Sequence, residues 1–183
     1  MTVKEAVTMA AKELGIYEDV QGVLDGTGTD GEEKVRLLVD CFNIVENELA
    51  LDYLPLQAED EMYSTTGTIE FAALRYQATR ILHVTDEWGN RTKFSLFPAY
   101  LKTQPGKVKI GYTYTPEPKT LDEESDYRLY VSTRLLAYGI AAEYAYAVGL
   151  FEEASVWDKK YKDAITAAYR VRPCARLRSR RWA

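Results

Sequence analysis

Val3, Ala6, Val7, Ala10, Ala11 and Leu14 recur at helical spacing behind Thr2. Thr2 and Glu5 stand three apart, the spacing of a capping box, and Gly15 sits where a C′ glycine belongs. The pattern predicts a first helix and then a short second one over 17–24, with Gly26–Gly31 as a loop. Asp30 is placed to cap a longer helix from about Glu32 to Leu51. Its apolar residues Val35, Leu38, Phe42, Val45 and Leu49 step by three and four, with Cys41 beside them, and Pro55 ends it.

The period changes between about 58 and 116. Val108, Ile110, Tyr112 and Tyr114 alternate with Lys109, Gly111 and Thr113, which puts the first set on one face of a strand. Residues 78–85 and 93–97 flank the turn Asp86-Glu-Trp-Gly-Asn90, and Gln104-Pro-Gly106 leads into the last run. Turn chemistry at both junctions predicts a small antiparallel sheet.

Helical spacing returns after Thr120-Leu-Asp-Glu123, a second capping-box spacing. From Leu135 to Gly149 the chain holds a single charge, Glu143. Val131, Leu135, Tyr138, Ala142 and Ala145 share one face; Leu136, Ile140, Tyr144 and Ala147 share the opposite one. A helix apolar on both sides is buried on both. Either a neighbouring subunit covers the face of Leu136, Ile140 and Tyr144, or the β segment of the same chain does; a subunit interface is the expectation. The final helix carries Phe151, Ala154, Trp157, Tyr161, Ala164, Ile165 and Ala168 on one stripe, and Pro173 disfavours its continuation. The elements add up to a mainly α fold. It is a helical bundle of about four to five helices (1–55 and 120–170) with an inserted small antiparallel β segment (58–116), forming one domain that ends in an arm over 170–183.

That arm changes the picture. The chain has a formal net charge of -5, yet its last fourteen residues hold six arginines and no acid, which leaves about -11 on residues 1–169. Such asymmetry points to binding outside the chain's own domain. Fully extended, the arm reaches roughly 46 Å at about 3.3 Å per residue. Arg172, Arg176, Arg178, Arg180 and Arg181 offer planar forks suited to carboxylate or phosphate, and Trp182 is a common interface anchor. The bland alternative is a solvated basic tail. Fourteen tyrosines against five phenylalanines suit half-wet interfaces. Two separated cysteines give no disulfide framework, and no signal peptide or membrane span is visible, so a soluble, cytoplasmic chain is expected.

Catalytic chemistry finds little purchase. His83 is the only histidine, flanked by Leu82 and Val84 without a nucleophile motif, and reads as a structural strand residue. Gly26 and Gly31 match the glycine spacing of a phosphate loop, but Glu32 and Glu33 stand where Lys and Ser/Thr belong. The acidic runs Glu59-Asp60-Glu61 and Asp122-Glu-Glu124 read as solvated loops. The expectation is a non-enzyme without cofactor or metal.

The order of parts resembles a family. N-terminal helices precede a strand segment ending Val-Lys-Ile-Gly-Tyr-Thr-Tyr-Thr-Pro116. Leu-Leu-Ala-Tyr-Gly-Ile-Ala-Ala-Glu-Tyr144, Gly149-Leu-Phe-Glu-Glu-Ala154, the Trp157-Asp-Lys-Lys-Tyr161 helix and a terminal Arg-Ser-Arg-Arg-Trp182 follow. This resembles the head–tail connector (adaptor, or head completion) proteins of tailed bacteriophages. The resemblance implies a virion neck protein, made in the host cytoplasm, that forms a ring of commonly twelve copies under the portal. The C-terminal extension docks on the portal protein, and DNA passes through the bore without sequence-specific binding. It makes Arg172, Arg176, Arg178, Arg180, Arg181 and Trp182 the candidates for portal contact. The β segment is longer than the simple loop of smaller adaptors, and its Trp88 turn is a candidate contact for the next neck or tail protein or for a neighbouring subunit. The competing reading is a nucleic-acid-binding protein whose arm neutralises phosphates.

Overall fold

In a computed structural model that describes residues 1–129 and 131–171, the first capping box forms as its spacing requires. Thr2 Oγ1 accepts from the Glu5 N–H at 3.2 Å, and Glu5 Oε2 accepts from the Thr2 N–H at 3.0 Å, opening α1 (Val3–Glu13). A helix start leaves further N–H groups without intrahelical acceptors. Here the returning segment supplies them: Val3 N–H donates to the Glu123 carbonyl and Lys4 N–H to that of Leu121. The spacing of Thr120 and Glu123 therefore serves a turn, with Glu123 accepting from both the amide and the hydroxyl of Thr120, and no helix starts there. The helix begins later, at α4 (Thr133–Ala147), capped by Ser132.

The described residues divide into two compact units, Met1–Val45 together with those from Lys119 to Val171, and Glu46–Pro118. The first unit holds α1, α2 (Tyr17–Leu24), α3 (Glu32–Glu48) as far as Val45, α4 and α5 (Phe151–Val171). The middle helix of this unit is α4, packed against α1 and α5. Its Gly139 faces α3 and α5: a Cβ there would lie 2.7 Å from Val45 Cγ1 and 3.0 Å from Tyr161 Cε2. Close approach of three helices is what this position requires of its residue. Asn43 of α3 clamps the returning chain, accepting from the Lys119 N–H at 2.7 Å and donating to the Lys119 carbonyl at 3.1 Å.

The second unit is built of two three-stranded antiparallel sheets. In one, β6 (Gly106–Tyr114) runs between β1 (Leu56–Ser64) and β3 (Ala78–Asp86), with Ile110 opposite both Asp60 and Val84. In the other, β5 (Tyr100–Lys102) lies between β2 (Thr68–Glu70) and β4 (Ser95–Leu96). Val108, Ile110 and Tyr112, the set predicted to share a face, form the core with Ile69, Leu74, Val84 and Leu101.

The expectation of a mainly α bundle is corrected. Among the described residues 47% are helical and 22% lie in strands, in two sheets, so the fold is α+β. The reason is physical. β1 reads Leu-Gln-Ala-Glu-Asp-Glu-Met-Tyr-Ser, and its acids suggest a solvated loop; yet Asp60 is buried while Glu59 and Glu61 face out to Lys107 and Lys109. β2 and β5 are three residues each, too short for alternation to register. α3 also stops earlier than expected, giving way to a π-helical turn over Leu49–Tyr53.

Candidate interaction surfaces

Trp88 stands at the tip of the turn between β3 and the segment that runs back along it. Asp86 builds that turn. Its Oδ1 accepts from the Trp88 N–H at 3.0 Å and the Asn90 N–H at 2.8 Å, and its Oδ2 from Asn90 Nδ2 at 3.1 Å. The Asp86 N–H donates to the Asn90 carbonyl, closing the loop from the other side. Gly89 takes φ 83°, the left-handed conformation that favours glycine. Burial would raise the Asp86 pKa, but the hydrogen bonds from Asn90, Trp88 and Gly89 outweigh it and hold the carboxyl below its ordinary value. On this brace Trp88 is 78% exposed. A rigidly held, exposed Trp is the kind of residue that dominates binding energy at interfaces.

At the other end of β3 lies an apolar recess that sequence reasoning missed. Phe71, Ala78, Ile81, Leu96 and Phe97 line a cavity of about 250 Å³, with Arg80 at its rim. Leu96 is 56% and Phe97 40% exposed, and Phe97 stacks on Tyr100 with ring centroids 4.6 Å apart. The recess draws on three separate segments, each unremarkable by itself. A second exposed apolar run, Tyr146 to Phe151, forms the α4–α5 turn.

The other predicted residues fall differently. Leu136, Ile140 and Tyr144 are 0%, 0% and 6% exposed, buried within the single chain. As described, that face is already covered and is not available to a neighbouring subunit. The periodicity identified the burial correctly but not its source. Arg172, Arg176, Arg178, Arg180, Arg181 and Trp182 lie outside the described residues.

The groups weighed for chemistry occupy structural settings. His83, Gly111 and Glu59 sit side by side across the sheet, and the His83 ring lies flat over Gly111, where a Cβ would come within 2.6 Å of Nε2. Only a glycine admits that ring, and it brings Nε2 to 4.0 Å from Glu59 Oε2. Asp60 Oδ2 accepts from the Tyr112 hydroxyl at 2.7 Å and the Arg75 N–H at 2.8 Å, while the Tyr112 oxygen accepts from the Tyr76 N–H at 3.3 Å. This network pins Arg75 and Tyr76 to the sheet. Burial, and then the bond to Asp60, push the Tyr112 pKa up to about 12. Cys41 is buried, and burial followed by the charges of Glu143 and Asp40 pushes its thiol up to about 12, far from a reactive thiolate. Glu32 and Glu33 sit in the first turn of α3, where acids suit the helix dipole and repel phosphate. Among the described residues no group of three or more His, Cys, Asp or Glu could hold a metal ion, and no helix is long and apolar enough to cross a membrane. No protein-family model matches this chain, and no curated protein matches it.

Proposed function

We propose that this chain is a structural protein of the neck of a tailed bacteriophage. Copies form a ring that joins the portal to the tail, DNA passes through the bore, and the arm over 170–183 binds the portal. The role is architectural, and the virion is its place of work. The observation that carries this reading is the separation of charge: six arginines and no acid in the last fourteen residues, after an acidic remainder of about -11. α5, at about 1.5 Å per residue, is roughly 31 Å long and leads directly into the arm. An acidic remainder suits a bore that must not retain passing DNA. The braced Trp88 gives the second unit an anchor of its own for a further protein contact.

Deleting residues 172–183 tests it. The shortened chain should keep its circular dichroism and lose co-sedimentation with portal rings. Unchanged portal binding by the shortened chain refutes the docking role. Duplex DNA binding that depends on the arm, with a log–log salt slope near -0.9 per phosphate contacted, and without portal binding, would favour the nucleic-acid reading.

A further inference from the structure

The braced Trp88 turn and the apolar recess lie at opposite ends of β3. The five strand steps from Ile81 to Asp86 separate them by roughly 16 Å. We propose that the Trp88 turn of one copy of this chain docks into the recess of a second copy, against Phe71, Ile81, Leu96 and Phe97.

Shape, chemistry and charge support this occupant. An apolar cavity of about 150 Å³ takes a benzene ring, so the recess of about 250 Å³ has room for an indole. Apart from Thr79 and Arg80, its walls are aromatic and aliphatic, as an indole requires. Exposed Glu87 adjoins the knob and exposed Arg80 rims the recess, so docking brings opposite charges together. Arg80 can also lie over the indole face as a cation–π partner. Asp86 has already fixed the turn, so little conformational freedom is lost on binding. Knob and recess are different surfaces of one unit and each copy offers both. Copies can therefore pair reciprocally about a two-fold axis, or link head to tail into a closed ring or an open chain. This goes beyond the neck reading and does not rest on it, because it needs no portal and no arm.

Sedimentation velocity of the purified full-length chain over a range of concentrations tests it. The wild type should self-associate. Trp88→Ala and Leu96→Glu should each weaken association about 30-fold or more, the loss expected of a central anchor. Mixed together, the two variants should give one-to-one dimers and nothing larger, because one keeps only the recess and the other only the knob. Glu87→Arg and Arg80→Glu should each weaken association, and the double variant should restore it, which guards against a misfolded single variant. Tyr63→Ala, at a residue 74% exposed on β1, should change nothing. A wild type that stays monomeric at every concentration overturns the proposal, as does a mixture without dimers. Association that survives both Trp88→Ala and Leu96→Glu belongs to another surface and overturns it too. So does a Trp88 that becomes protected only when a different neck protein is added.

Discussion

Tyr112→Phe removes one oxygen from the centre of the second unit and leaves its fully buried ring in place. That oxygen donates to Asp60 Oδ2 at 2.7 Å and accepts from the Tyr76 N–H at 3.3 Å. A hydrogen bond to a charged group contributes about 1.5–3 kcal/mol net, and a buried donor left without its acceptor costs about 1–3 kcal/mol. The Tyr76 bond is long and half-buried, so its loss belongs near the lower end, and the substitution should destabilise by about 2.5–4 kcal/mol. Arg75→Ala makes the informative contrast. Asp60 bonds the Arg75 main chain, whereas the mostly exposed guanidinium stands 3.7 Å away, so this change should cost less than about 1 kcal/mol. Urea unfolding followed by circular dichroism measures both, with Tyr63→Phe as an exposed control. The alkaline limb gives a second readout. The folded chain holds the Tyr112 proton up to about 12 against an ordinary 10.0. Between those values the unfolded chain has released a proton that the folded chain keeps. Stability is therefore intact below pH 10 and falls as pH rises toward 12. The Phe variant should lack this part of the fall. A Tyr112→Phe chain within about 0.5 kcal/mol of wild type, or one with the same alkaline loss, would refute the account of Asp60 as a pin held by this hydroxyl.

Two further changes probe the rest of the fold. Gly139→Ala gains about 1 kcal/mol of helix propensity but presses a methyl against Val45, a fully buried residue that is stiff at χ1, at an overpacking cost of about 1–3 kcal/mol. Thermal unfolding should show a net loss of about 1 kcal/mol, and the double variant with Val45→Ala should be non-additive by about 1 kcal/mol; strict additivity refutes the clash. Asp86 has a lowered pKa, so its brace is complete above 3.8 and loosens as pH falls below that value. The Trp88 amide resonance should shift over this range in the wild type and stay put in Asp86→Asn, and a shift common to both chains refutes the assignment.

Local patterns were legible and assembled ones were not. The Thr2–Glu5 box, the alternation of Val108, Ile110 and Tyr112, and the Asp86–Asn90 turn each depend on neighbours within a few residues, and each forms as spelled. β1 was hidden because Asp60 is satisfied by Tyr112, a partner far along the chain, so a buried carboxylate passed for a solvated one. The two apolar faces of α4 announced that they were covered, but periodicity cannot say by what, and α1, Val45 and Tyr161 of the same chain pack on this helix. Trp88 could be singled out from turn chemistry. The recess could not, since Phe71, Ile81 and Leu96 become neighbours only through the folding of the second unit.

The Asn43 clamp has an evolutionary consequence. One side chain holds the returning Lys119 two residues before the chain leaves the first unit, so departure and return share one point on α3. In connectivity, residues 46–118 are then a single closed loop grafted onto a helical host. Loop closure is insensitive to length: each doubling adds about 0.6 kcal/mol, so an eightfold change adds only about 2 kcal/mol. The stitch is made entirely by the host. Descendants of such a chain can lengthen, trim or exchange the insert, and with it the surface that carries Trp88, while the helices of the host keep the same sequence constraints.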